Sequence, residues 1–174
     1  MVAALELYLD TAASRRIRVL WDALEAEGVQ SMRSLLAQRH RPHVSLAVAP
    51  RLDPEQVAAA LAGTTVAAPL RLSFQYAGQF VGRVLWLGPV PTPQLLAHHR
   101  QVHARLAAAG ITLVEHYQPD RWVPHCTLSM RVPNALMAAA VRREPGVHLA
   151  MVRRQLRGGD RAQPEHPTHE LARV

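Results

Sequence analysis

The sequence predicts an α+β fold in which a strand–helix–strand–helix–strand unit occurs twice. Apolar residues recur with a period of two in some segments and of 3.6 in the segments between them. The chain also repeats itself at an offset of 82 residues, which places Gly28 on Gly110 and His43 on His125. This period is too long for a solenoid. We therefore expect a bilobal, pseudo-twofold duplication, with antiparallel-rich sheets around a central cleft and helices outside.

The first unit opens with a strand, a helix and a second strand. Residues 2–10 alternate, with three leucines on one face: Leu5, Leu7 and Leu9. Residues 11–27 carry an apolar stripe with helical spacing, and Gly28 is a typical residue just past a helix C-terminus. The second strand is predicted from the stretch RPHVSLAVAP, which ends at Pro50.

The first unit closes with a short helix and a third strand. Asp53 is predicted to cap the helix, with Pro54 as its first residue and the Gln56 side chain reaching back to the cap. The strand is predicted from LRLSFQYAG, whose apolar face consists of Leu70, Leu72, Phe74 and Tyr76. We expect Gly78 and Gly82 to bracket the turn into the second unit.

The second unit repeats this order. A strand is predicted from RVLWLGPV, followed by a helix that Thr92 caps and that stops at Gly110. The next strand is predicted from WVPHCTLSMRVP and ends at Pro133. Asn134 is predicted to cap a short helix, and VHLAMVRRQL to form the last strand.

A length of 174 residues suits one domain with a sizeable core. Within it, we expect one lobe over about residues 1–80 and another over about residues 83–157. The polar tail, residues 158–174, is either mobile or returns as an edge strand.

The composition is that of a globular protein, with 49% apolar and 19% charged residues. No apolar run is long enough to cross a membrane. The N-terminus lacks a basic start, and Glu6 interrupts its apolar run, so we expect no signal peptide. The one cysteine, Cys126, cannot form an internal disulfide, and we therefore expect a cytoplasmic location.

The net charge of +7 favours anionic partners such as nucleotides or RNA. All 20 basic residues are arginine, which binds phosphate bidentately. A solvated basic surface with no partner explains the same charge.

Two short strings carry the chemistry, His43-Val-Ser45 and His125-Cys-Thr127, each preceded by proline. Side chains alternate along a strand, so each string offers an imidazole and a hydroxyl on one face and apolar residues on the other. A pseudo-twofold axis would bring the two pairs together. Imidazole acts as base or acid near neutral pH, and the hydroxyls can donate to phosphate oxygens. A lone strand histidine is more often a packed residue, but two in one register favour a shared site.

These strings resemble the twin H-x-[S/T]-hydrophobic motifs of the 2H phosphoesterase superfamily, within it the bacterial 2′-5′ RNA ligase-like and RNA 2′,3′-cyclic phosphodiesterase group. The resemblance covers residues 2–156. It implies His43 and His125 as the acid/base pair, and Ser45 and Thr127 as the phosphate-holding hydroxyls. It implies metal-independent hydrolysis of RNA or nucleotide 2′,3′-cyclic phosphates, with reversible 2′-5′ ligation when run backwards. We expect a monomer with no cofactor, no obligate protein partner and no membrane contact; which histidine is the base is left open.

Three residues are weaker candidates for substrate binding. Arg41 and Arg131 share strand parity with the motif histidines, although surface arginines are as common. Tyr117 lies in the loop before the second motif and could stack a base; Trp122 nearby is expected to pack in the core. Few residues are aromatic, so we expect no extensive stacking platform.

Two alternatives remain beside this hypothesis. The spacing of His99 and His103, one helical turn apart, is compatible with a metal site, but His99 falls on the apolar stripe of its helix and is expected to pack. The rival function is a non-catalytic module that uses the same cleft to bind RNA or nucleotides.

Overall fold

The computed structural model describes residues 2–35, 40–64, 69–142 and 147–155. The predicted tail, residues 158–174, lies outside the described residues, so its two alternatives stay open.

The fold is α+β, as predicted, with six strands in one sheet. In chain order the strands are β1 (Ala3–Leu9), β2 (His43–Ala49), β3 (Leu70–Phe80), β4 (Val84–Pro89), β5 (Cys126–Ser129) and β6 (Val147–Gln155). Every neighbouring pair is antiparallel, in the order β2-β1-β6-β3-β4-β5. The helices are α1 (Thr11–Ala26), α2 (Met32–Leu35), α3 (Pro54–Ala60), α4 (Pro93–Ala108) and α5 (Asn134–Arg142).

The strand order carries the pseudo-twofold symmetry of the sequence repeat. At the 82-residue offset β1 and β2 correspond to β4 and β5, and β3 and β6 each follow as the third strand of a unit. Exchanging the two units reverses the order of the sheet. The third strand of each unit pairs with the first strand of the other unit, β6 with β1 and β3 with β4. One continuous sheet therefore unites both units. The proposed lobe boundaries at residues 1–80 and 83–157 stay a prediction.

The sheet is strongly curved, because its two edge strands touch. β2 and β5 stand at opposite ends of the strand order, yet their residues are in contact. The first histidine string lies in β2, and the second runs from His125 into β5. The curvature thus brings the strings together.

The caps of the two long helices match the prediction at Thr92, Gly28 and Gly110, and the structure adds Asp10 as the cap of α1. Asp10 accepts a hydrogen bond from the backbone N–H of Ala13 (2.7 Å) at the start of α1, and Thr92 accepts one from Leu95 (3.2 Å) at the start of α4. Gly28 and Gly110 follow their ends at φ of 78° and 75°, a region that side chains with a Cβ avoid. These equivalent caps give the two units helices of the same length.

The side chain of Gln56 does not reach back to the cap of α3, contrary to the prediction. Asp53 does cap that helix, accepting from the N–H of Glu55 at 2.9 Å. Gln56 instead donates to the carbonyl of Ala109, at the end of α4, at 2.9 Å. The last carbonyls of a helix have no partner within the helix, so the carbonyl of Ala109 is free to accept from the side-chain amide of Gln56. That amide is then not available to the cap of α3.

The apolar core joins one face of the sheet to the long helices. Alternate strand residues and the apolar stripes of α1 and α4 form one buried cluster. Its largest fully buried side chains include Trp21 and Ile17 of α1, Phe74 of β3 and Leu106 of α4. Burying such a side chain contributes about 1.5–3 kcal/mol. This core covers one face of the sheet and leaves the other for the histidine strings.

Two strand predictions need correction. Tyr76 does not share the buried face of Leu72 and Phe74, because a bulge lies between Phe74 and Tyr76 in the pairing with β4. An extra residue shifts the alternation, so Phe74 is fully buried whereas Tyr76 is 41% exposed. For the same reason β3 continues through Gly78 to Phe80, and the turn lies beyond it.

β5 is shorter than predicted, running only from Cys126 to Ser129. Pro124 cannot donate to a ladder, and past Ser129 the chain bends before Pro133. The strand parity used for Arg131 therefore does not apply. Asn134 is the first residue of α5 rather than its cap.

Candidate active site

Two side chains, one just before the second histidine string and one within it, contact the backbone of the first string. Trp122, just before the second string, donates from Nε1 to the carbonyl of Ser45 in the first string at 3.0 Å. The sulfur of Cys126 lies near the backbone N–H of His43. Burial raises the pKa of the Cys126 thiol to about 12, and that N–H only partly opposes the shift. Cys126 is thus an inert core residue that joins the two strings.

The four motif side chains are half-buried, while the residues between them are buried. His43, Ser45, His125 and Thr127 are all partly exposed, whereas Val44 and Cys126 are not. This alternation places each imidazole and its hydroxyl on the face opposite the core, as the sequence predicts.

Both imidazoles are held in the same way. Nδ1 of His43 lies 2.9 Å from the carbonyl of Arg41, and Nδ1 of His125 lies 2.7 Å from the carbonyl of Val123. A carbonyl only accepts, so Nδ1 must carry the proton in each ring. Each contact spans two residues and directs Nε2 of the ring away from its own backbone. The two histidines therefore present the same nitrogen for proton transfer.

The surroundings of His43 are polar and charged. Its Nε2 lies 3.3 Å from Oε1 of Glu6, on the neighbouring strand β1. The ring of Tyr8 stands edge-on to His43 at 6.2 Å, and the guanidinium of Arg41 lies 4.4 Å above that tyrosine ring. The ring of His40 also packs edge-on against His43, at 4.9 Å. Arg41 precedes β2, so the strand parity used for it does not apply; its role in substrate binding stays a prediction.

The surroundings of His125 are aromatic. Its ring meets the ring of Phe80 edge-on at 4.8 Å and lies 6.1 Å from the ring of Trp86. Phe80 and Trp86 in turn pack on each other at 5.0 Å. The duplicated strings therefore sit in different environments, one next to a carboxylate and one next to apolar rings.

The two hydroxyls are placed by strand pairing. Ser45 lies opposite Glu6 in the β1–β2 pair, and Thr127 lies opposite Trp86 in the β4–β5 pair. Residues opposite each other in an antiparallel pair share a face. Each hydroxyl therefore lies on the same face as the groups that surround its histidine.

The weaker candidates differ in position. Tyr117 lies in a 3₁₀ turn, Glu115–Tyr117, and is packed against the core. Burial raises the pKa of its phenol, and the Glu6 carboxylate raises it further, so the hydroxyl keeps its proton. Trp122 is buried, as predicted, with its ring stacked on His99 at 3.9 Å. Arg131 is exposed beyond the end of β5, and its role stays a prediction.

His99 and His103 are packed within the core. Both are buried, and Nε2 of His103 donates to the carbonyl of Leu46 in β2 at 2.9 Å. Among the described residues, no group of three or more His, Cys, Asp or Glu side chains is placed to hold a metal ion. These two histidines instead support the strand that carries the first string.

Sequence reasoning missed two groups at this site. The alternation along β1 predicts that Glu6 lies on the face opposite the leucines. The sequence does not show that β1 pairs with β2, so it could not predict the contact between Glu6 and His43. Phe80 was hidden by the bulge in β3, which moves it to the face of the histidines. Three of the eight aromatic residues, Tyr76, Phe80 and Trp86, pack together here.

The fold is shared with solved phosphoesterases. E. coli LigT complexed with 3′-AMP has a TM-score of 0.56 at 22% identity, covering 77% of this chain and 74% of LigT. The MHV ns2 PDE domain has a TM-score of 0.55 at 15% identity, covering 92% and 95%. A crystal structure described as a phosphoesterase has a TM-score of 0.52 at 23% identity, covering 75% and 74%. No curated protein sequence matches the chain.

A family model describes most of the sequence. The model of the 2′-5′ RNA ligase superfamily matches residues 11–156, which include both histidine strings. Within the described part of the chain, no helix is long and apolar enough to cross a membrane. With its fold and its twin motifs, the chain belongs to the 2′-5′ RNA ligase superfamily of 2H phosphoesterases.

Proposed function

We propose that this protein is a metal-independent phosphodiesterase that opens RNA-type 2′,3′-cyclic phosphates by two-histidine acid/base catalysis. The observation that carries the proposal is the pair of half-buried imidazoles at the two touching edge strands, His43 as the first residue of β2 and His125 directly before β5. Each has Nδ1 on a backbone carbonyl, so that Nε2 is the nitrogen available for chemistry. A binding module has no need of two imidazoles held in one tautomer.

The contacts favour His43 as the acid and His125 as the base. Both ring nitrogens of His43 face an acceptor oxygen, the carbonyl of Arg41 and the carboxylate of Glu6. In the proposed mechanism His43 carries a proton on both nitrogens and delivers the one on Nε2, next to the Glu6 carboxylate. With Nδ1 protonated, the neutral ring of His125 offers Nε2 as a proton acceptor.

The reaction is an in-line hydrolysis. Nε2 of His125 takes a proton from water, and the water oxygen forms a bond to phosphorus. The bond from phosphorus to one ribose oxygen breaks, and that oxygen receives the Nε2 proton of His43. A phosphomonoester and a ribose hydroxyl result, and a proton moves from His125 to His43 through solvent to complete the cycle. The hydroxyls of Ser45 and Thr127 donate to the non-bridging oxygens, where negative charge builds up.

With the 5′-hydroxyl of a second RNA end in place of water, the same groups would join two RNA ends. That oxygen would give its proton to His125 and bond to phosphorus, while the bond from phosphorus to the 3′-oxygen breaks and the 3′-oxygen takes the proton of His43, which leaves a 2′-5′ link. The net charge of +7 supports an anionic substrate of either kind, because it raises the local concentration of phosphates.

Hydrolysis of a nucleoside 2′,3′-cyclic phosphate in the presence of EDTA tests this proposal. We expect turnover by the unmodified protein, and a loss of about 10²–10⁴-fold in kcat for His43→Ala and for His125→Ala, because each removes one proton transfer. The matched control is His116→Ala, an exposed histidine outside the site, which should keep full activity. Circular dichroism of each variant checks that the fold is kept.

Full activity in either motif variant would contradict the mechanism. Binding of cyclic nucleotides without turnover would favour the rival function, a non-catalytic RNA- or nucleotide-binding module. Activity that EDTA abolishes would contradict the metal-independent reaction.

A further inference from the structure

Glu6 is a buried carboxylate that faces the first histidine string. It is 9% exposed, and of the acidic residues that the structure describes it is the only one that is buried. An ionised carboxylate is costly to bury unless a charged or hydrogen-bonding partner compensates it. Nε2 of His43, which lies 3.3 Å from Oε1 of Glu6, is such a partner when the ring is protonated. The carboxylate and the proton on Nε2 therefore stabilise each other.

The position of Glu6 is fixed by strand pairing. β1 is paired on both sides, and Glu6 lies opposite Ser45 of β2 and opposite Gln155 of β6. His43, two residues from Ser45 along β2, is therefore its diagonal neighbour on the same face. The contact of 3.3 Å is longer than the roughly 2.7–2.9 Å of a tight charged hydrogen bond. The carboxylate thus attracts the Nε2 proton without holding it tightly, so that the proton can move to a substrate oxygen.

The second copy of the unit has no carboxylate at the equivalent position. The 82-residue offset places Gly88 where the first copy has Glu6. A Cβ on Gly88 would collide with the ring of Tyr76, so no larger side chain fits there without a shift of that ring. His125 instead packs against aromatic rings. The carboxylate is thus a difference between the two copies, and it lies next to one of the two motif histidines.

The other titratable or charged groups near His43 come from three parts of the chain: Tyr8 of β1, His40 and Arg41 just before β2, and Cys126 of β5. Arg41 and a protonated His40 are positive, and the buried Cys126 thiol is neutral. Burial and the Glu6 carboxylate raise the pKa of the Tyr117 phenol, so that group is neutral as well. Among the contacts described for His43, Glu6 is therefore the single negative charge.

We infer that Glu6 is a positioning residue that keeps a proton on Nε2 of His43 and so gives the acid role to the first of the two histidines. This inference rests on the proposed function and adds the group that makes the duplicated strings unequal in the reaction. A nearby negative charge favours the protonated imidazole over the neutral one. Glu6 itself transfers no proton: the Nε2 proton of His43 goes to the leaving ribose oxygen, and the carboxylate favours uptake of the next proton from solvent.

The test compares Glu6→Gln with the unmodified protein on a nucleoside 2′,3′-cyclic phosphate at two pH values. The carboxylate matters most at alkaline pH, where an imidazole is mostly neutral. We expect kcat/KM of the variant to be about three- to tenfold lower at pH 8 and less than about twofold lower at pH 5.5, where protons are abundant. Glu6→Asp, which keeps the charge, should lose less than Glu6→Gln. The matched control is Glu55→Gln, an exposed carboxylate in the first turn of α3, which should keep full activity at both pH values.

An equal, modest loss at both pH values would overturn the inference, because Glu6 would then only support the fold. No loss at either pH would overturn it too. A loss as large as that of His43→Ala at both pH values would make Glu6 itself the acid and equally contradict a positioning role. If Glu6→Gln does not fold, a loss in Glu6→Asp that is larger at pH 8 than at pH 5.5 supports the inference, and a loss that does not depend on pH overturns it.

If the unmodified protein hydrolyses no cyclic phosphate, the proposed reaction fails on its own, and NMR decides the role of Glu6. The nitrogen chemical shifts of the imidazole report which fraction of His43 is protonated at pH 7. That fraction should fall in Glu6→Gln and stay the same in Glu55→Gln, while the protonated fraction of His125 changes in neither. An equal protonated fraction of His43 in all three proteins would contradict the inference.

Discussion

His99 is a titratable residue kept uncharged inside the protein. Burial, together with the positive charge of a protonated His103, lowers its pKa to about 4, although the carbonyls of Leu46 and Tyr117 oppose the shift. Its ring stacks on Trp122 almost in parallel, with 1° between the planes. Protonation of this ring would therefore place a positive charge in a packed, buried region.

This burial predicts an acid-sensitive fold. The unfolded chain takes up the His99 proton near pH 6.5, but the folded protein does so only near pH 4. The free energy of unfolding should therefore fall as the pH drops from about 6.5 to 4 and level off below, by up to about 3 kcal/mol from this group. Urea unfolding of the wild type and of His99→Gln at pH 7 and 4.5 measures the effect. The variant should show the smaller difference; equal differences would contradict the account.

At the scale of residues, the sequence predicts the histidine pair but not its surroundings. Strand parity places His43 with Ser45 and His125 with Thr127, and the partial burial of all four agrees with that. The contacts with Glu6 and Phe80 depend on which strands pair and in which register. Neither the pairing nor the register can be predicted from the local sequence. The two halves of the repeat are therefore equivalent in sequence yet unequal in environment.

The segment that leads into β5 links the two histidine strings. Trp122 donates to the carbonyl of Ser45, and the carbonyl of the next residue, Val123, holds Nδ1 of His125. A single stretch of chain thus contacts the first string and orients the imidazole of the second. Trp122 acts as a positioning residue, since it reaches the reaction only through its neighbours.

Trp122→Phe should separate catalysis from binding. The phenyl ring keeps the stack on His99 but loses the hydrogen bond to Ser45, so the strings are less well aligned. We expect kcat to fall roughly tenfold with KM changed less than about threefold, because misalignment weakens the transition state more than ground-state binding. The matched control is Trp21→Phe, since within the described residues the Nε1 of Trp21 has no hydrogen-bond partner. A rise in KM alone, or an equal effect of the control, would contradict this role.

At the scale of elements, helices were easier to predict than strand details. The caps Asp53 and Thr92 and the glycines after α1 and α4 are local signals, and the structure has them where expected. The bulge after Phe74 follows from pairing with β4, and the early end of β5 follows from the bend past Ser129. Neither is encoded by a short pattern of apolar residues.

The whole molecule consists of two copies of one unit, and the third strand of each copy pairs with the first strand of the other. The 82-residue offset shows which strands are equivalent, but not that β6 pairs with β1 and β3 with β4. That exchange makes one curved sheet and sets the two edge strands against each other. The net charge of +7 over the whole sequence favours association with phosphates.

The central claim is that His43 works as the acid and His125 as the base on one phosphate. The pH dependence of kcat/KM for hydrolysis of a nucleoside 2′,3′-cyclic phosphate tests it most directly. The account predicts a bell-shaped profile for the wild type. His125→Ala should lose the acidic limb, where the base becomes protonated, and His43→Ala the alkaline limb, where the acid loses its proton. A wild-type profile with one limb, or the loss of the same limb in both variants, would contradict the claim.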